Sequence, residues 1–199
     1  MKTTLVIACG AIAQELVALL EANHWSHVDV QCLPARWHNT PEKITPAIER
    51  KLRETAGQYR TTLIGYGDCG TGGQLDALLR REGVERLPGD HCYSFFAGES
   101  LFNELAEQEL GTFYLTDYLA ANFDRLILQD LGIKNNPELR DMYFGNYKRV
   151  LYLAQQPSDE LIAKAQAAAD TLNLTYEFRQ TGLASFQHSL THIKIANHH

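Results

Sequence analysis

Short runs of aliphatic and β-branched residues alternate along this chain with segments whose apolar positions recur every three or four residues. That alternation is the mark of βαβ units building a parallel sheet. Residues 3–9 include Leu5-Val6-Ile7-Ala8 with no polar interruption, which predicts a strand buried on both faces. Gly10 turns the chain, and Ile12, Leu16, Leu19 and Leu20 mark one stripe of a helix. Residues 28–33 predict strand two. A loop over residues 35–40 follows, with Thr40-Pro41 as an N-cap and first-turn proline ahead of a helix carrying Ile44, Ile48 and Leu52. Residues 61–66 are strand three, and a glycine-dense turn over residues 67–73 leads into a helix carrying Leu75, Leu78 and Leu79. A short fourth strand, residues 84–87, stops at Pro88-Gly89, and the loop Asp90-His91-Cys92-Tyr93 comes next.

In the second half, residues 112–115 read as a strand. Thr116-Asp117 then cap a long helix through Leu119, Phe123, Leu126 and Ile127 that Gly132 ends. Residues 150–153 predict another strand, Ser158 the N-cap of an alanine-rich helix, and residues 174–178 a final strand. The expectation is an α/β fold with a mainly parallel, doubly wound, Rossmann-like sheet flanked by helices. No linker composition breaks the chain, so residues 1–199 are expected as one domain, with a small second lobe from about 112 to 199 as the alternative.

A length of 199 residues with 45% hydrophobic content suffices for a substantial core. The formal charge of -6, without Lys and Arg clusters interleaved with aromatics, argues against a nucleic-acid or anionic-membrane partner. The apolar run near the start is too short for a signal peptide core or a membrane span, so a cytoplasmic location is expected. In that reducing compartment the four cysteines are better suited to metal ligation, nucleophilic chemistry or packing than to disulfides.

Ligands of open parallel sheets bind outside the carboxyl ends of the strands. Cys9 ends strand one, His38 follows strand two, Cys69 follows strand three, and His91-Cys92 follow strand four. Thiolates and imidazoles suit zinc or an Fe–S cluster, so Cys9, Cys69, Cys92 and His38 are the expected metal ligands. His91, Asp90 and Asp68 are expected in acid–base or ligand-orienting roles, because neighbours on one loop rarely both ligate one ion. Cys69, at the entry to a helix, is expected to have a lowered thiol pKa. Gly70, Gly72 and Gly73 have a second reading as an anion cradle that binds a cofactor through backbone N–H groups, although the lysine of a P-loop is absent. Tyr66, Tyr93, Arg36 and Arg179 are candidates for holding a small polar, anionic substrate. Cys32, inside strand two, is expected to be a core residue.

The segments Ala8-Cys9-Gly10, Tyr66-Gly67-Asp68-Cys69-Gly70, Gly89-Asp90-His91-Cys92-Tyr93 and Leu115-Thr116-Asp117-Tyr118-Leu119 resemble the bacterial and archaeal domain of unknown function 1638 family, over nearly the whole chain. The resemblance implies association with corrinoid-dependent methyltransferases, hence methyl-group or one-carbon metabolism. The chain itself lacks the Asp-x-His-x-x-Gly signature of a cobalamin-binding domain.

Three functions compete. A zinc or Fe–S enzyme, a transferase or lyase, would act on a small polar substrate at an open coordination position. A binding or trafficking protein would hold a metal or cofactor for a corrinoid methyltransferase system and turn nothing over. A metal-free enzyme would use Cys69 or Cys92 as nucleophile with His91 or His38 as base.

Overall fold

Four consecutive aliphatic residues have nowhere to turn a polar face, and in the computed structural model, which describes residues 2–192 (His192 by its backbone alone), they form the middle of β1 (Thr4–Cys9). A 3-10 turn at Gly10–Ile12 leads into α1 (Ala13–Ala22), followed by β2 (Val28–Leu33), α2 (Ile44–Glu54), β3 (Thr61–Gly65), α3 (Gln74–Glu82), β4 (Glu85–Arg86) and α4 (Cys92–Ala97). The four strands make an all-parallel sheet of order β2-β1-β3-β4, so β1 and β3 lie inside and β2 and β4 at the edges. The register runs Ala8 beside Cys32 on one side and Ala8 beside Gly65 on the other.

Alternation sends Leu5 and Ile7, Leu33, Ile64 and Tyr66 to one face. There they pack with Ile44, Ala47 and Ile48 of α2 and Leu75, Leu78 and Leu79 of α3, and Cys9, Trp37 and Cys69 lean on the same cluster. Gly65 is demanded by the opposite face: a Cβ there would lie 2.8 Å from that of Ala8.

The chain continues through α5 (Glu99–Gln108), β5 (Thr112–Leu115), α6 (Asp117–Ala121), α7 (Glu138–Phe144), β6 (Arg149–Ala154), α8 (Asp159–Leu172), β7 (Thr175–Gln180) and α9 (Ala184–His192). Strands β5, β6 and β7 form a second all-parallel sheet in that order. Two compact units result: one runs up to Phe95 and resumes at Leu183, and the other is Phe96–Gly182. The last helix thus returns to the first unit, where Phe186 stacks on Phe95 and Gln187 Nε2 donates to Asn23 Oδ1 at 3.0 Å. The second unit has its own core, with Leu115, Phe123, Val150, Tyr152, Ala165 and Leu172 buried together. At the carboxyl ends of β5 and β6 the Asp117 carboxylate accepts from the Tyr152 hydroxyl (2.7 Å) and from the backbone of Gln155 (3.0 Å) and Gln156 (2.6 Å), which ties the two strand exits together. The architecture is the α/β, Rossmann-like class expected, built as two parallel sheets flanked by helices.

Several local expectations need correction. The long helix after Thr116 breaks at Asn122, whose side-chain amide donates to the Tyr118 carbonyl at 2.8 Å and competes with the backbone ladder; a π-helical turn, Asp124–Gln129, follows. The loop after β2 is wound into 3-10 turns, Ala35–Asn39 and Pro41–Lys43, and the Thr40 side chain caps neither. Cys92 and Tyr93 open α4 rather than lying in a loop. Cys32 is exposed, not a core residue, because the strand carrying it is at the edge of its sheet. Among the described residues no helix is long and apolar enough to cross a membrane.

Candidate functional site

Because β1 to β4 run parallel, their carboxyl ends share one edge of the sheet, and the chain leaves each strand into a loop on that edge. Cys9 is the last residue of β1, half-buried on the same face as Ile7, and its sulfur accepts the Ala11 N–H at 3.5 Å. Tyr66 stands one residue beyond the Ala8/Gly65 pair, hence beside Cys9, and is only 2% exposed. Its hydroxyl lies close to the Cys9 sulfur and near Cys69 but makes no hydrogen bond of ordinary geometry; burial, followed by these thiols, pushes the phenol pKa up.

What brings Cys69 and Cys92 to this point is a backbone staple. Asp68 N–H donates to Gly89 O (3.3 Å) and Cys69 N–H to Asp90 O (2.8 Å), joining the exit loops of β3 and β4. Gly67 permits the approach, since a Cβ on it would lie 2.8 Å from Gly89 O and 2.9 Å from Asp90 O. Cys69 itself adopts φ +49°, a left-handed conformation that costs a side-chain-bearing residue about 1–2 kcal/mol. Glycine would fit this backbone better, so the thiol is kept there against local preference.

Asp68 turns back into its own loop. Its carboxylate accepts from Gly73 N–H (2.9 Å), Thr71 Oγ1 (2.8 Å) and Gly72 N–H (3.2 Å), with the Gly73 N–H foremost in holding its pKa down. Two of the N–H groups expected to cradle an anion at Gly70, Gly72 and Gly73 are therefore already taken by the chain's own carboxylate. Asp68 thereby fixes the shape of the turn that presents Cys69.

Cys92 begins α4. Burial raises all three thiols, and charge on Cys9 adds to this at Cys69, as charge on Cys69 and Cys9 does at Cys92. Cys69 is pushed up to about 12, the reverse of the lowered value expected for a helix entry; α3 starts only at Gln74. A residue missed in the sequence joins this group: Glu15 of α1 is 5% exposed, and its charge is felt at Cys92. The signal was present, because Ile12, Glu15, Leu16 and Leu19 fall at i, i+3, i+4 and i+7, which puts a carboxylate on the buried stripe.

The remaining candidates divide. His38 is exposed at the rim, yet the packed surroundings and then His91 lower its pKa, so the two imidazoles are neighbours. His91 Nδ1 is buried without a hydrogen bond, and its ring lies 6.0 Å from that of Tyr93. Asp90 contributes its carbonyl to the staple and leaves its side chain exposed, and Arg36 is exposed on the 3-10 turn before His38. Arg179 is exposed on β7 and belongs to the second unit.

Arg86 braces the β4 exit from below. Its guanidinium grips Asp76 (2.6 and 3.1 Å) and donates to the carbonyls of Leu87 (2.8 Å) and Gly89 (2.9 Å). The hydrogen bond from Arg86 holds the Asp76 carboxyl below its ordinary value. A carboxylate depressed in the folded state stabilises fully above the unfolded value of about 3.9 and loses that contribution as pH falls through the folded one. With the Asp76 side chain 36% exposed, solvent screening leaves about 1 kcal/mol or less. Asp76→Asn should therefore lower the melting temperature slightly at pH 7, and its unfolding curve should converge with wild type in acid. Identical melting at both pH values would contradict this role.

Among the described residues no group of three or more His, Cys, Asp or Glu side chains is already disposed to hold a metal ion. By donor type alone, three thiols on the exits of β1, β3 and β4 are what a thiophilic ion prefers. The family model described as "Protein of unknown function (DUF1638)" matches residues 32–190. No curated protein and no solved structure matches the chain.

Proposed function

The chain belongs to the DUF1638 family, a membership that assigns no chemistry, and we propose from the site itself that the protein is a metal-dependent enzyme whose Cys9, Cys69 and Cys92 ligate zinc or an Fe–S centre. What supports this reading is that three thiols lie on the exits of β1, β3 and β4 at one edge of the sheet, one of them held in a left-handed backbone. Burial favours the neutral thiols, so a metal held by Cys9, Cys69 and Cys92 would displace their protons and bind more tightly as pH rises.

When bound, such a metal would supply Lewis acidity toward a substrate sulfur or oxygen. The protein residues do the rest. His38 and His91 at the rim accept or return the substrate's proton, and Arg36 and Tyr93 orient a small polar, anionic substrate. Activation of a substrate thiol in this way is what methyl transfer requires, and a corrinoid methyltransferase system is the partner such chemistry would serve.

Two alternatives fare less well. Burial raises all three thiols, which works against a metal-free cysteine nucleophile at neutral pH. A trafficking protein needs exposed, exchangeable ligands, whereas these cysteines are partly buried. The test is metal analysis and a visible absorption spectrum on protein purified without air. Stoichiometric zinc with no colour, or iron with broad visible absorption, is expected. Folded protein that takes up neither metal, even after reconstitution, would overturn the proposal.

A further inference from the structure

Among the described residues, strand β7 is the least protected sheet edge. It lies outermost in the order β5-β6-β7 and pairs residue for residue with β6 from Thr175 to Gln180, so no bulge interrupts it. It carries no proline or lysine to blunt the edge, and its Phe178 is 42% exposed. The other edges are better guarded: β4 has two residues and β5 four, and β2 exposes Cys32 alone.

The backbone decides what this edge can accept. Thr175 N–H donates to Lys148 O (3.1 Å) and Thr181 N–H to Ala154 O (2.9 Å). Alternate residues of a strand turn their backbone groups to the same side, so Thr175, Glu177 and Arg179 bond to β6, while Tyr176, Phe178 and Gln180 direct N–H and C=O outward. An added antiparallel strand must hydrogen-bond through that second set. When the strand is β7 of a second copy and the twofold axis passes through Phe178, Tyr176 meets Gln180 of the partner subunit. Glu177 then lies directly opposite Arg179 of the partner subunit, and the match occurs twice. Sliding by one residue pair in either direction sets Glu177 against Glu177 of the partner subunit, or Arg179 against Arg179 of the partner subunit. Opposite charges across strands stabilise and like charges repel, so one register is selected.

Both charges are available for this. Glu177 receives Arg149 on Oε2 at 2.8 Å and its side chain is 44% exposed, which leaves Oε1 for a second cation. Arg179 is exposed and makes no ion pair among the described residues. On the other face Phe178 rests edge-on against buried Tyr152, with ring centroids 5.7 Å apart, so the aromatic ring is held in place beside the axis.

We infer that β7 is a self-complementary docking edge that pairs antiparallel with β7 of a second copy of this chain, in the register that sets Glu177 against Arg179. The pairing joins two three-stranded sheets into one continuous sheet and brings the two exposed phenylalanines together. It does not involve the cysteines and is independent of any metal. A strand pair alone buries less than the roughly 1,200 Å2 of a stable interface, so a dissociation constant in the micromolar range is expected.

Sedimentation velocity of the full chain tests this, with circular dichroism confirming that each variant folds. Wild type is expected to pass from monomer to dimer over the micromolar range. Arg179→Glu sets carboxylate against carboxylate and is expected to weaken the dimer by about a hundredfold or more. Gln180→Pro removes an outward N–H, leaves the bonds to β6 in place, and is expected to disrupt the dimer as well. Mixing Arg179→Glu with Glu177→Lys, each monomeric alone, is expected to restore a dimer, because an acidic edge then faces a basic one. Should Glu177→Lys fail to fold beside Arg149, the other two variants carry the test. Wild type that stays monomeric into the millimolar range would overturn the inference. So would a dimer that survives both Arg179→Glu and Gln180→Pro, since its contact would lie elsewhere.

Discussion

Cys69→Ser is expected to lose bound metal, its affinity falling by more than about a hundredfold, since a ligand should matter at least as much as the outer partners worth 10–100-fold; Cys32→Ser is expected to keep it. Serine preserves size nearly unchanged, so the comparison isolates the sulfur. At Cys69 it removes a largely enclosed thiol that feels the charge of Cys9 and is itself felt at Cys92. At Cys32 it changes an exposed side chain on an edge strand, where a hydroxyl meets water at little cost. A third variant separates ligation from folding: Cys69→Gly relieves the left-handed backbone at φ +49° and should be more stable than Cys69→Ser by about 1 kcal/mol, yet equally unable to hold metal. Metal content by elemental analysis and folding by circular dichroism decide the matter. Equal metal in wild type, Cys69→Ser and Cys32→Ser would end the metal hypothesis, and activity lost at Cys69 in protein free of metal would promote the cysteine nucleophile.

The role of Cys32 shows where one-dimensional reasoning stops. Periodicity located the strand that carries it, Val28–Leu33, to the residue, because turn-forming segments bound it on both sides. Whether that strand is central or at an edge depends on pairing order, and the order β2-β1-β3-β4 has no local signature. The same limit explains the two sheets: each strand was visible, but nothing in an individual strand says which others it joins. Capping was legible where chemistry is local. Thr116 Oγ1 accepts from Leu119 N–H (3.3 Å) and Ser158 Oγ from Leu161 N–H (3.2 Å), as their positions before helical stripes implied. Asn122 was not legible as a break, since the stripe Leu119, Phe123, Leu126 and Ile127 fits a continuous helix equally well.

At the site, strand-end reasoning put the three cysteines on the exits of β1, β3 and β4, and parallel strands exit at one edge. The carboxylates behaved differently. Asp68 precedes a site cysteine in sequence but spends its oxygens on Thr71, Gly72 and Gly73. Glu15, distant in sequence, is the carboxylate that shares the buried environment of Cys92. Adjacency along the chain is thus a poor guide to which acid serves a thiol. A helix stripe with one charged member is a better one, because burying a carboxylate is costly and a fold retains it only where something repays that cost.

The glycine that makes the site geometrically feasible gives the second large effect. Gly67→Ala is expected to destabilise the protein by about 2–3 kcal/mol and to weaken metal binding with every thiol still present. Its φ is not in the left-handed region, so the penalty comes from contact alone: the added methyl would sit 2.8 Å from Gly89 O and 2.9 Å from the Asp90 carbonyl, and backbone on both sides must move. The movement stretches the two bonds from Asp68 and Cys69 that staple the β3 and β4 exits, and with them the approach of Cys69 to Cys92. Gly72→Ala is the matched control. A Cβ there meets nothing within 4 Å, and its cost is confined to a φ of +61°, about 1 kcal/mol, with metal affinity close to wild type. Chemical denaturation gives the stabilities and zinc titration the affinities. If Gly67→Ala unfolds and binds zinc like wild type, the two loops do not depend on that contact, and the staple is not what assembles the cysteines.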